Sequence, residues 1–189
     1  DPNDYAKSEP SVYNNNPAIG EVYEPGSTFK IVTVAAGLQA NAFDENTEVI
    51  DNGVINRYDY TLANYDYNGH GSVKPADVLY YSSNIGALLF AEMMSESVFY
   101  RTVDAFGFGK ATGIELPGET PGIYWRPGTT GYTPINLDTN SFGQGIAVTP
   151  LQVVRMAATV ANNGVMMRPY IVQSRCVKDV CTDTQPREQ

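Results

Sequence analysis

The stretch "YEPGSTFKIVTVAAGL", Tyr23–Leu38, decides the fold. Pro25-Gly26-Ser27 reads as start punctuation, and the residues after it set Phe29, Ile31, Val32, Val34, Ala35, Ala36 and Leu38 around the whole helical circumference. A helix that is apolar on every side is a buried helix. The pattern predicts a core helix running from the Pro25 turn to near Asn41. Lys30 is the one charged side chain within it. An ammonium buried without a partner costs several kcal/mol or more, relieved by a hydrogen-bonded partner or by a lowered pKa. The helix macrodipole, positive at this end, pushes the same way. Lys30 is therefore placed to spend time neutral.

Ser27 stands three residues earlier, on the adjacent turn, where the two side chains meet if both project into one cleft. A neutral amine beside a hydroxyl can take its proton, the arrangement of an activated serine nucleophile. The Ser27 N–H, without an acceptor at the helix start, can in addition stabilise an oxyanion. The bland alternative is that Ser27 caps the helix while Lys30 snorkels to solvent along its stem. A second polar group, Ser82-Ser83-Asn84, lies between the apolar stretches "KPADVLYY" and "IGALLFAEMM". A hydroxyl and a carboxamide in such a loop can relay a proton and hold a substrate amide. Its own alternative is a cap for the helix that follows.

Outward from these two groups, residues 1–24 read as loop with one short helical turn. Residues 44–72 read as loop with small strands, broken at Asn-Gly turns. "SVFYRTVDAFGFG" is an amphipathic helix closed by glycine, and "IELPGETPGIYWRPGTTGYTP" a Gly/Pro-rich excursion. Thr149, Pro150 and Asn163-Gly164 bracket the helix "LQVVRMAATVA", after which "VMMRPYIVQ" looks extended and the last eight residues look frayed. Trp125 and the tyrosines between residues 58 and 67 are expected to pack under a long loop rather than line a groove. His70, between glycines, reads as a loop residue, since no cluster of His, Cys and Asp has ligand spacing. No metal or organic cofactor is expected.

The 189 residues are 42% hydrophobic, enough for one sizeable domain, residues 1–189, with a real core. A formal charge of −9 argues against nucleic acid and anionic membrane surfaces as partners. No run of eighteen apolar residues occurs, and "DPNDYAKSEP" is not a signal peptide, so a membrane anchor of the parent protein is expected to lie outside this chain. Cys176 and Cys181 flank a two-residue turn at Lys178-Asp179, which sets them opposite each other on a hairpin. They read equally as a cross-strand disulfide or as two free thiols on a loop.

"EPGSTFK" and "YYSSNIG" resemble the first two of the three motifs of the penicillin-recognising serine acyltransferases. "GQGIAVTPLQVVRMAATVANNGVMMRP" resembles the long helix that follows them. "DPNDY", "NPAIGEVYEPGS", "LANYDYNGHGSV" and "GFGKATGIELPGE" add lesser matches, in family order over nearly the whole chain. The chain is similar to the transpeptidase domain of class B penicillin-binding proteins. That resemblance implies an α+β fold of which this chain is the helix-rich part, most of the central antiparallel sheet being encoded elsewhere. It implies Ser27 as the nucleophile, Lys30 as its base, Ser82 as a proton-passing hydroxyl and Asn84 as the amide that positions substrate. It further implies D-Ala–D-Ala stem peptides of peptidoglycan and β-lactams as ligands, glycosyltransferase and other division or elongation proteins as partners, and a site of action outside the cytoplasmic membrane.

The resemblance departs at the third motif, lysine-threonine-glycine, which is absent. "KATG" at Lys110 to Gly113 has an extra residue and precedes the "TPLQ" helix, so Lys110 reads as a surface charge. Without that strand the isolated chain is expected to be inactive, since one lost oxyanion donor costs on the order of 10²- to 10³-fold. The rivals are a serine β-lactamase, with Glu115 or Glu119 activating the deacylating water, and a non-catalytic domain that binds wall peptide.

Overall fold

The computed structural model describes residues 16–189, so the reading of residues 1–15 and the match at "DPNDY" lie outside the described residues. The described chain forms two compact units, one of residues 24–105 and 124–147, the other of residues 16–23, 106–123 and 148–189.

The first unit is built around the expected core helix, which runs Lys30–Gln39 and is preceded by a 3₁₀ turn at Gly26–Phe29. It stops two residues short of Asn41, which takes a left-handed φ of 53° that ends the α conformation. Phe29, Val32 and Ala36 are fully buried with Ile85, Leu88 and Phe90 of the helix Asn84–Glu92. Phe43 stacks obliquely on Phe90 with ring centroids 4.6 Å apart. Gly37 is required here, because a Cβ at that position would come within 1.9 Å of the Phe43 ring. The helix Glu96–Ala105 adds Phe99 and Val103 to the same core.

Two small antiparallel pairs flank the helices. Val49–Asp51 pairs with Gly71–Val73, and Val54–Arg57 pairs with Tyr60–Ala63. Neither makes a cover for the tyrosines of this region, which correct the expectation of packing: Tyr58, Tyr60, Tyr65 and Tyr67 are all exposed, Tyr65 at 97%. Two-stranded pieces have too little apolar face to bury large rings. Trp125 is likewise partly exposed.

An additional helix, Ile135–Ser141, falls in a stretch without helical periodicity. Tertiary contacts hold it. Leu137 and Asn140 are buried, Asn140 donates to the Tyr100 hydroxyl at 3.1 Å, and Thr33 of the core helix donates to the Ser141 carbonyl at 2.7 Å.

In the second unit the helix Pro150–Ala161 begins as expected, with Thr149 accepting from the Gln152 N–H and Gln152 reaching back to the Thr149 N–H. The stretch after it is not a strand. It carries one isolated bridge, Met167 with Glu188, and Arg168 donates to the Gly113 carbonyl. The chain end is docked rather than frayed, because Gln189 donates to the Met166 carbonyl at 2.9 Å and accepts from Arg155 at 2.8 Å. The hairpin Ser174–Val177 with Val180–Asp183 sets Cys176 opposite Cys181, and the two form a disulfide. Lys110 is exposed.

Candidate active site

The site is assembled by the turns at three helix ends. Gly26, at a left-handed φ of 55°, opens the 3₁₀ turn, and its N–H donates to the Gly143 carbonyl at 2.9 Å. That contact pins the residue just before Ser27. One turn later Lys30 begins the core helix with its side chain inward, 1% exposed. On the far side, Ser82 ends the helix Pro75–Tyr81 in a left-handed conformation, and Ser83 caps the next helix by accepting from the Gly86 N–H at 2.7 Å.

The Lys30 amine lies between the two serines. Its Nζ is 3.0 Å from Ser27 Oγ, 3.1 Å from Ser82 Oγ and 2.5 Å from the Ser82 carbonyl oxygen. Three acceptors match the three protons of an ammonium, and loss of one proton leaves a lone pair directed at a hydroxyl. Burial lowers the amine from its ordinary 10.5 to about 8, with the Asp51 carboxylate opposing the shift. Asn84 donates through Nδ2 to the Ala63 carbonyl at 2.8 Å.

Ser27, Ser82 and Asn84 line one cleft of about 560 Å³, which Tyr65, Asp66, His70, Tyr81 and Gln144 share. The structure thus brings the four sequence-derived residues together, Lys30 forming the link behind the cleft wall. His70 is part of that wall, its ring stacked on Tyr81 at 4.5 Å. Its place between glycines gave no sign of this. Glu115 and Glu119 are occupied within the second unit: Glu119 accepts from the Thr112 and Gly113 N–H groups, and Glu115 from that of Ile171. A hollow of about 470 Å³ in that unit, lined by Arg168, Arg175 and Arg187, offers charge but no serine–lysine pair.

The model of the penicillin-binding protein transpeptidase domain matches residues 1–189. The chain belongs to the penicillin-binding protein transpeptidase family. It is 36% identical over 174 residues to stage V sporulation protein D of Bacillus subtilis, covering 92% of this chain and 27% of that protein. It is 36% identical over 153 residues to the peptidoglycan D,D-transpeptidase FtsI of Escherichia coli K12, covering 79% of this chain and 25% of that one. The crystal structure of penicillin-binding protein 3 from Mycobacterium tuberculosis complexed with aztreonam superposes with a TM-score of 0.82 at 28% identity, covering 92% of this chain and 39% of that chain. The chain spans about a quarter of the length of the curated relatives it matches. The mixture of helices with short sheets agrees with these transpeptidase domains.

For this penicillin-binding protein chain, the buried amine has a consequence for stability. The folded state holds the Lys30 proton less tightly than the unfolded state, so between about pH 8 and 10.5 the unfolded chain binds more protons and stability rises with pH. A shift of that size corresponds to about 3 kcal/mol. Urea unfolding of the wild type and of Lys30→Met, compared across pH 8 to 10, should show the difference between them changing by about 2 kcal/mol, the part of that shift that falls inside the window. Groups common to both proteins cancel in that difference. A pH-independent difference would place the amine in water.

Proposed function

We propose that the transpeptidase containing this chain forms a serine acyl-enzyme from the D-Ala–D-Ala end of a peptidoglycan stem peptide and passes the acyl group to an amine on a neighbouring strand. Ser27 Oγ attacks the carbonyl of the penultimate residue while its proton moves to the neutral Lys30 amine. The resulting oxyanion faces the Ser27 N–H, which lies in the first turn of a helix and has no intrahelical acceptor. Ser82, hydrogen-bonded to the same amine, hands a proton to the nitrogen of the departing D-alanine, and collapse of the intermediate leaves the Ser27 ester. An incoming amine attacks that ester, gives its proton back along the same route and frees Ser27. Asn84, whose own Nδ2 is anchored on Ala63, presents its carboxamide to the peptide along the cleft. A β-lactam takes the first step only, because its leaving nitrogen stays tethered to the acyl group.

One observation carries this reading: a single buried amine within hydrogen-bonding distance of the hydroxyls of both Ser27 and Ser82. The carboxylates that a β-lactamase reading would recruit, Glu115 and Glu119, are engaged by backbone N–H groups of the second unit, which supports acyl transfer over lactam turnover. The same reading locates the enzyme outside the cytoplasmic membrane, where stem peptides are cross-linked. Membrane anchoring and partnership with a glycosyltransferase and other division or elongation proteins follow from it.

The test is covalent. Fluorescent penicillin incubated with the transpeptidase should leave one stable adduct per molecule, and mass spectrometry of the digest should map it to the peptide holding Ser27. Attachment elsewhere, or steady release of hydrolysed lactam, would refute the assignment.

A further inference from the structure

A buried polar network stands behind the second motif, and the acyl chemistry above makes no use of it. Asp51, 1% exposed, ends the strand Val49–Asp51 and receives four donated hydrogen bonds. Its Oδ1 accepts from the Gly53 N–H at 2.7 Å and from Asn64 Nδ2 at 2.9 Å. Its Oδ2 accepts from Asn64 Nδ2 at 2.8 Å and from the Ser83 hydroxyl at 2.7 Å. Asn64, 4% exposed, turns its Oδ1 the other way, to the N–H groups of Asn84 at 2.8 Å and Ile85 at 3.1 Å. The pair therefore grips Ser83 by its side chain and Asn84 by its backbone.

We propose that Asp51 and Asn64 are positioning residues for acyl transfer, fixing Ser82 and Asn84 in the cleft through the Ser83 hydroxyl and the Asn84 N–H. Capping a helix needs only a hydroxyl, so a buried carboxylate saturated with donors is more than the Asn84–Glu92 helix requires. Fixed geometry is what it adds, since a misplacement of about 1 Å at a reacting group can cost on the order of 10²-fold. Around the Lys30 amine, Ser27 and Ser82 supply the hydrogen bonds, Asp51 is the charged group acting on it, and Tyr65, Asp66, His70 and Tyr81 are the titratable side chains of the cleft wall. Taking away the Asp51 charge removes a carboxylate that favours the ammonium.

This rests on the serine–lysine reading of the site. The experiment is the pH dependence of penicillin attachment to Ser27 in the wild-type transpeptidase, in Asp51→Asn and in Ser83→Ala, with folding followed by near-UV circular dichroism. Asp51→Asn should move the acid limb of the profile toward lower pH and lower the plateau about tenfold. Ser83→Ala, which keeps the carboxylate, should leave the limb in place and lower the plateau about tenfold, as for a displaced catalytic group. A folded Asp51→Asn variant labelling at the wild-type plateau overturns the proposal, as does a Ser83→Ala variant labelling at the wild-type rate. Should Asp51→Asn not fold, the Ser83→Ala plateau decides alone. Wild-type labelling at Ser27 with unresponsive variants sinks the network only, whereas no wild-type labelling at Ser27 sinks the acyl-transfer reading along with it.

Discussion

Arginine in place of Lys30 is expected to slow penicillin attachment to Ser27 by about 10²- to 10⁴-fold, the range supplied by a positioned general base. A guanidinium cannot give up its proton near neutral pH, so the variant keeps the charge and the donors while losing the lone pair. Methionine at the same position tests the complementary property, keeping the stem's bulk without charge, donors or basicity. Both variants should lose the rate, and only the arginine should strain the fold, because it forces a permanent and larger cation into a space that is already closed. The wild-type rate should climb along an acid limb near pH 8, where the buried amine loses its proton, and Lys30→Met should lack that limb. At pH 7 roughly a tenth of molecules would hold the neutral amine, a fraction consistent with a working base. Labelling of Lys30→Arg within tenfold of the wild type would remove the amine from the proton path.

What the sequence made legible was what local chemistry writes into a short window. The unbroken apolar circumference around Lys30 announced both the core helix and the anomaly within it, and Ser27 lay near enough in the chain for the spacing to suggest the pair, which the family resemblance then selected over a simple cap. The Thr149 cap with Pro150 behind it and the Cys176–Cys181 hairpin register were legible for the same reason. Contacts over long separations were not. Asp51 and Asn64 are ordinary residues in a loop-rich stretch, and nothing short-range marks an aspartate that will meet a serine 32 positions later. The helix Ile135–Ser141 is composed largely of Asn, Asp, Thr and Ser, which compete with the helical backbone for hydrogen bonds. Its stability comes from Tyr100 and Thr33, which only the folded chain brings to it. His70 belongs to the same class, since its role in the wall depends on a ring at Tyr81 that the turn carries back to it.

The nucleophile's turn depends on one backbone approach, and Gly143→Ala should expose that dependence. Gly143 holds φ at 81°, and a Cβ built there would come 2.1 Å from the Gly26 carbonyl oxygen and 2.7 Å from its nitrogen. Backbone cannot rotate out of the way as a flexible side chain can, so Gly26 or Gly143 must shift. Left-handed strain of about 1–2 kcal/mol adds to overpacking of about 1–3 kcal/mol, and a loss of about 2–5 kcal/mol in urea unfolding is the expected result. The larger effect should be on chemistry. The Gly26 N–H to Gly143 carbonyl bond fixes the residue preceding Ser27, so its loss should displace the nucleophile from the Lys30 amine and reduce penicillin attachment by on the order of 10²-fold. Gly128→Ala is the matched control. That glycine also has a positive φ, 88°, but no atom lies within 4 Å of the added Cβ, so it should pay the backbone strain alone and keep its acylation rate. Equal rates in the two variants would mean that the turn holds Ser27 without help from Gly143.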